Sequence, residues 1–254
     1  METVFRKAQN EADYCTFYGM LCEEFTKLEL SLRGLSTKVK TLKHSDFRTT
    51  LIEYCRTSFN QFFEVDKFKN ITEEDKLKFR HRLFCNVKFV GELNRRNLLS
   101  ESVIMSVFDL LLGVESNESR KRIDNDTVEG GVVLLNKIGY LIDDRLAQIE
   151  ARPLEREKGR VKDEKIKGMI LRTFARLEEI VEKDEVNQRV KLLIKNLIDN
   201  RESNWEKSRG QDEKGPKKVD ELRQEEMKKH EEENRKREAE NDEYEYGGQG
   251  GYYD

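Results

Sequence analysis

Residues 76–96 read KLKFRHRLFCNVKFVGELNRR, and the apolar positions in them decide the fold class. Phe79, Leu83, Val87, Val90 and Leu93 recur in steps of four and three, which places them on one face of a helix. A half-buried strand would need every second residue apolar. Working outward, the same spacing returns along the chain. Upstream stand Phe17, Leu21, Phe25, Leu28 and Leu32, then Phe47, Leu51, Cys55, Phe59 and Phe62. Downstream come Ile104, Val107, Phe108 and Leu111, then Val128, Val132, Leu135, Ile138 and Ile142. Ile166, Ile170, Phe174, Leu177 and Val181 follow, and Val186, Val190, Leu193 and Leu197 close the series. Each stripe belongs to an amphipathic helix that must bury it, and no alternating pattern competes. The spacing predicts an all-α protein.

Phe84, Phe89, Leu134 and Leu141 widen several stripes, so those helices are covered on two sides. A stacked array of antiparallel helical hairpins meets that need, because each pair buries its faces against its neighbours. A closed bundle is the competing architecture. Gly91 and Gly139 lie inside helices, where each costs about 1 kcal/mol relative to alanine, and they read as points of close helix–helix approach. Thr72 is placed to cap the helix of residues 76–96, and Ser100 followed by Glu101 to start the next. Asp126 with Glu129 three residues on resembles a capping box.

The 254 residues are 39% charged and 36% hydrophobic with two prolines, a balance that favours helices with some unstructured sequence. An N-terminal basic-then-apolar signal and an apolar run long enough to span a membrane are both missing, so the expected location is the cytoplasm. Cys15, Cys22, Cys55 and Cys85 sit within apolar periodic segments without CxxC spacing and read as buried thiols in a reducing compartment. His44, His81 and His230 have no metal-ligand spacing, and neither metal nor cofactor is expected. There is no phosphate-binding glycine loop, no HExxH and no nucleophile elbow, and the carboxylates are spread as on solvated helix faces. The chain reads as a non-enzyme.

Charge is unevenly spread. From Glu206 to Asp254 there are 11 Lys/Arg against 16 Asp/Glu, whereas residues 76–96 carry seven Lys/Arg against Glu92 alone. Residues 152–167 carry seven against four. Locally basic faces on a body with an acidic tail suit contact with a polyanion at particular places, and phosphate neutralisation there would be salt-dependent. Lys78, Arg80, Arg82, Arg160 and Lys162 are the nucleic-acid-binding candidates. The competing reading of these cations is a solvated face paired with acidic neighbours. Trp205 reads either as a plug closing the end of the hairpin stack or as an aromatic anchor for a partner. The charge-dense stretch 152–163, with Pro153 and Gly159, reads as a loop, and 200–218, with Gly210, Gly215 and Pro216, as a linker. The domain organisation is then 1–205 helical domain, 206–243 charged linker and solvated helix, and 244–254 unstructured Gly/Tyr tail.

Three stretches carry a resemblance to a known family. Phe89-Val90-Gly91-Glu92-Leu93 running into Leu98-Leu99-Ser100-Glu101 resembles the third hairpin of the middle domain of eukaryotic translation initiation factor 4 gamma. Leu134-Leu135-Asn136-Lys137-Ile138-Gly139 is similar to that domain's next hairpin. The most specific match is Arg189-Val190-Lys191 to Asp199-Asn200-Arg201, then Ser203-Asn204-Trp205 and Gly215-Pro216-Lys217.

The resemblance, over roughly residues 2–230, implies a HEAT-type α-solenoid that binds the DEAD-box RNA helicase of translation initiation. In that family the domain spans both helicase lobes and favours their closed, RNA-competent arrangement, a population shift rather than chemistry in the scaffold. It also implies contact with mRNA and, in some lineages, with the multisubunit initiation factor on the small ribosomal subunit. Arg95, Arg96, Arg189, Lys191, Asn204 and Trp205 are the partner-binding candidates. A related middle-domain adaptor of splicing, mRNA decay or translational regulation is the alternative, as is an RNA-binding protein without a helicase role.

The sequence departs from the family pattern in three places. Residues 1–8 enter late in the first hairpin, so that repeat is expected to lack its opening helix and to expose apolar surface. Asn94 stands where an aromatic usually follows Gly-Glu-Leu. The Tyr-x4-Leu-hydrophobic peptide is absent, so direct binding of the cap-binding protein is not expected.

Overall fold

A computed structural model describes residues 2–63, 72–115, 123–151 and 160–209. The helices are α1 (Glu2–Ala8), α2 (Cys15–Leu32), α3 (Asp46–Phe62), α4 (Glu73–Arg95), α5 (Glu101–Leu112), α6 (Asn125–Glu150), α7 (Arg160–Glu182), α8 (Gln188–Glu202) and α9 (Glu206–Arg209). Short 3-10 turns at Ala12–Tyr14 and Val39–His44 precede α2 and α3. Among the described residues there is no strand, and the helices fall in one compact unit. The all-α expectation holds.

One layer is a ladder. α2 packs on α4, α4 on α6 and α6 on α8, while α3, α5 and α7 return between the rungs and α9 closes on α6 and α8. α2 and α8 are the two ends of this ladder, which is the geometry of stacked hairpins and not of a closed bundle. The stripes of α3 through α8 face the core as their spacing required: Leu51, Leu83, Val87, Phe108, Val128, Leu135, Ile138, Leu177, Val190 and Leu197 are all buried.

α2 is the exception and a correction. Phe17, Phe25, Leu28 and Leu32 are 52%, 40%, 55% and 81% exposed. The buried face is instead Cys15, Tyr18, Gly19, Cys22, Thr26 and Leu30. Small residues win because α4 lies close: a Cβ on Gly19 would stand 3.1 Å from both Glu92 Cβ and Arg96 Nε. Cys15, Cys22, Cys55 and Cys85 are buried free thiols, as expected, and burial pushes Cys15 and Cys22 up to about 12.

Helix starts follow local chemistry, with one shift in register. Thr72 accepts from Asp75 N–H at 3.1 Å and caps α4. Ser100 occupies the N-cap of α5 without a side-chain cap bond. The box at α6 lies two residues before the expected one: Asp124 accepts from Asp126 and Thr127 N–H at 3.1 and 3.0 Å, and the Thr127 hydroxyl accepts from Asp124 N–H. That leaves Glu129 free for a tertiary role. Of the expected loops, 160–163 is already helix α7 and 200–202 still α8. The remainder of 152–163 and of 200–218 beyond Arg209, with the tail segments 219–243 and 244–254, lies outside the described residues.

α3 is capped from a neighbouring helix. The Glu29 carboxylate on α2 accepts from the Ser45 hydroxyl and from Asp46 and Phe47 N–H at 2.9 and 3.1 Å. The Ser45 bond first, and the two amides with it, hold Glu29 down to about 2 from an ordinary 4.5. A lowered carboxylate pKa stabilises the fold fully above 4.5, and that contribution is lost as pH falls towards 2. Glu29→Gln is therefore expected to melt below wild type at pH 7, with the gap closing between pH 4.5 and 2. A gap that stayed constant in thermal melts across that range would contradict the assignment.

Candidate interaction site

The motif Gly91-Glu92-Leu93 places a carboxylate within the apolar face of α4. Glu92 is fully buried and joins three rungs of the ladder. It accepts from the Thr16 hydroxyl of α2 at 3.2 Å and pairs closely with the Lys137 ammonium of α6. Arg95 and Arg96 guanidinium nitrogens lie 3.8 and 3.9 Å from its oxygens. Gly91 makes room for this arrangement, since a Cβ there would stand 2.8 Å from Lys137 Cδ. Arg96 also reaches Glu23 at 3.1 Å, and Arg95 Nε donates to the Tyr140 hydroxyl at 3.2 Å. Arg95 and Arg96 are thus half-buried cations held in fixed positions at the end of α4.

A second carboxylate organises the other end of the same helices. Glu129, in the first turns of α6, takes two parallel bonds from Arg189 of α8 at 2.6 and 2.7 Å and one from Arg80 of α4 at 2.8 Å. Arg80 Nε also lies 3.0 Å from Asp126. The Arg189 bonds first, outweighing burial, hold Glu129 below the usual carboxylate range. The bidentate geometry fixes the guanidinium plane of Arg189, while 60% of that side chain stays exposed. Arg80 lies over the Phe84 ring, 5.3 Å from its centroid. Leu77, Phe84, Val133, His81 and Lys88 complete a cleft of about 440 Å³ around these groups. An RNA candidate, Arg80, and a partner candidate, Arg189, thus converge on one carboxylate, which spacing alone could not show.

The third feature is the turn after α8. Asn204 and Trp205 both adopt left-handed backbone, φ 53° and 60°, and Trp205 N–H closes the turn on Asn200 C=O at 2.8 Å. Left-handed non-glycine residues persist only where the surroundings fix them. Here the indole does so. It is 1% exposed, donates from Nε1 to Asp143 at 2.7 Å and sits on Gly139, where a Cβ would stand 2.2 Å from the ring. Arg201 holds the same Asp143 with two 2.9 Å bonds and lies over Phe174, 3.5 Å from its centroid. Gly139 is indeed a close-approach glycine, but what approaches is the tryptophan ring and not a helix backbone. The plug alternative describes Trp205; its ring offers a partner no accessible face, and its contribution to a surface is the Asn204 turn that it holds.

The remaining candidates are dispersed. Lys191 is 17% exposed and pairs closely with Asp184, and Asn204 is exposed. Lys78 pairs with Glu74 at 2.6 Å. Arg82 is exposed, and at two residues from Arg80 it points away from the cleft. Lys162 is exposed at the start of α7, and the Arg160 side chain lies outside the described residues. Sequence reasoning missed the carboxylates Glu92, Glu129 and Asp143 that position these cations. The available signal was an acid inside an apolar stripe, as in Val90-Gly91-Glu92-Leu93 and Val128-Glu129-Gly130.

The sequence profile of the MIF4G domain matches residues 1–204. Similar proteins include Dictyostelium discoideum eukaryotic translation initiation factor 4 gamma, 24% identical over 242 residues, covering 81% of this chain and 16% of that protein. Mouse eukaryotic translation initiation factor 4 gamma 1 is 24% identical over 253 residues, covering 91% and 14%. Arabidopsis thaliana eukaryotic translation initiation factor 4G is 22% identical over 232 residues, covering 86% and 12%. The chain thus spans about a sixth or less of the length of these relatives. None of its described helices is long and apolar enough to cross a membrane.

Proposed function

This chain belongs to the MIF4G domain family, and from that premise we propose that it is a cytoplasmic translation-initiation scaffold module that binds and stimulates the DEAD-box RNA helicase of initiation and contacts mRNA. The observation that carries the reading is the family match over residues 1–204, which takes in both carboxylate-organised clusters, at the opposite ends of α4 and α6. Those ends supply what a scaffold of this kind needs. Arg95 and Arg96 at one end, and Arg189 with Arg80 at the other, are cations whose positions are set before a partner arrives, so less ordering entropy opposes binding. Contact at both ends of α4 and α6 would let one rigid surface engage two lobes of a mobile partner. Tighter binding to the closed lobe arrangement would shift its population, which is the whole of the mechanism. The chain contributes binding and no bond-making step. Exposed Lys78, Arg82 and Lys162 are the mRNA contacts in this reading, and the multisubunit initiation factor is a further partner.

Two titrations test this. Fluorescence titration of the purified initiation helicase, with RNA and a non-hydrolysable ATP analogue, should give saturable 1:1 binding that the paired change Arg189→Glu and Lys191→Glu weakens at least tenfold with helicity intact. Preferential binding of a splicing or decay helicase would overturn the initiation reading. For RNA alone, affinity should fall linearly with log salt, and each of Lys78→Glu, Arg82→Glu and Lys162→Glu should flatten that slope by about one unit. An unchanged slope would remove those residues from the RNA surface.

A further inference from the structure

The cleft between α4 and α6 carries a pattern that its two arginines alone do not explain. On α4, Arg80, Phe84 and Lys88 follow one another about a turn apart, so cation, ring and cation stand in a row along about 12 Å of helix. Leu77 and Val133 extend the apolar lining, and Leu77 is 66% exposed. At one end of the row Arg80 and Arg189 share Glu129, and Arg189 gives that carboxylate two of its five N–H groups while 60% of its side chain stays exposed. At the other end Lys88 is half-buried and makes no ion pair or hydrogen bond among the described residues. Glu129 and Asp126 answer the arginines, and no carboxylate answers the lysine.

We propose that this cleft holds an extended acidic segment of a partner protein with the pattern acid–x–aliphatic–x–acid. In an extended chain residues i, i+2 and i+4 point the same way and span about 13 Å, which matches the row on α4. The first carboxylate meets the remaining donors of Arg80 and Arg189. The aliphatic side chain covers Phe84 and Val133, and the second carboxylate supplies the anion that Lys88 lacks. Both carboxylates then make charge-assisted bonds beside an apolar contact that excludes water.

The lining favours a peptide over a nucleic acid. Single-stranded RNA binds by stacking its bases on open aromatic faces. Here the Phe84 ring already carries the Arg80 guanidinium, 5.3 Å from its centroid, and the His81 ring is tied by Nε2 to the Asn10 carbonyl at 3.1 Å. What stays open is aliphatic, Leu77 and Val133, flanked by cations. This inference goes beyond the helicase reading and does not rest on it, since Leu77, Phe84 and Lys88 have no part in that reading.

Fluorescence anisotropy with the full chain tests it, the probe being a fluorescein-labelled peptide with the core glutamate–serine–leucine–serine–glutamate. The expected result is saturable 1:1 binding with a Kd below about 1 mM. Lys88→Glu and Leu77→Asp should each weaken it at least tenfold with melting temperature unchanged, and so should serine for the peptide's leucine or glutamine for its glutamates. Lys195→Glu, on exposed α8 surface away from the cleft, should leave it unchanged. Absence of binding at 1 mM overturns the proposal. So does binding indifferent to the leucine, which would be bare charge attraction, or indifferent to Lys88→Glu. A uridine oligonucleotide that binds in place of the peptide and is weakened by Lys88→Glu would give the cleft to RNA and overturn it as well. Helicase titration of the wild-type chain is a separate measurement, so either reading can fail while the other stands.

Discussion

Trp205→Ala should destabilise the helical unit by about 3–5 kcal/mol, the range for removing a buried large aromatic, and lower the melting temperature by roughly 10 °C for a domain of this size. Three losses combine. The indole is 1% exposed, so its removal opens a cavity over Gly139 and beside Phe174. Its Nε1–H no longer serves Asp143, which is left to Arg201. The left-handed pair Asn204–Trp205 loses the packing that holds it.

A double-mutant cycle separates this packing from any partner role. Gly139→Ala alone forces a methyl against a rigid ring 2.2 Å away and should itself be destabilising. In the Trp205→Ala background the same methyl enters empty space and gains alanine's helix preference of about 1 kcal/mol, so its effect should change sign. Additive effects in urea denaturation would contradict the assignment.

Glu92→Ala should cost a comparable amount, about 3–5 kcal/mol, the range for breaking a buried ion pair by removing one partner. The carboxylate is fully buried among Lys137, Arg95 and Arg96, whose side chains are 25%, 18% and 18% exposed. Without it three cations crowd one site at the junction of α2, α4 and α6, and the Thr16 hydroxyl loses its acceptor. Replacing both members of the closest pair, Glu92→Leu with Lys137→Leu, should recover much of the loss, because a well-packed apolar pair avoids the cost of burying charge. Chemical denaturation reads both. A Glu92→Ala variant within 1 kcal/mol of wild type would show that the carboxylate is not the keystone of this junction.

The reach of the sequence was set by what periodicity encodes. It reports which residues share a helix face, and for α3 to α8 large apolar residues occupy the buried face, so stripe and core coincide. In α2 they part, because α4 lies close against Gly19 and the buried face is built of small residues, Cys22 and Thr26 among them, while a stripe search follows side-chain size. The capping box was displaced for a related reason: Asp126 and Glu129 have the spacing of a cap, but Glu129 is taken by Arg189 and Arg80 from other helices. The candidate cations were legible as residue types and illegible as a site. Arg80 and Arg189 meet only through α6, and nothing local to either marks the other. Trp205 was legible as an isolated aromatic at the end of the helical series, while its partner Gly139, two helices earlier, needed the fold.

The account's central claim is that this rigid ladder acts on a helicase by binding, and RNA-stimulated ATP hydrolysis by the purified initiation helicase tests it most directly. With the full chain added, the rate should rise several-fold. Arg189→Glu should reduce that gain while keeping wild-type helicity, and Trp205→Ala should reduce it only in step with the folded fraction. An unchanged helicase rate in the presence of folded, saturating chain would contradict the claim.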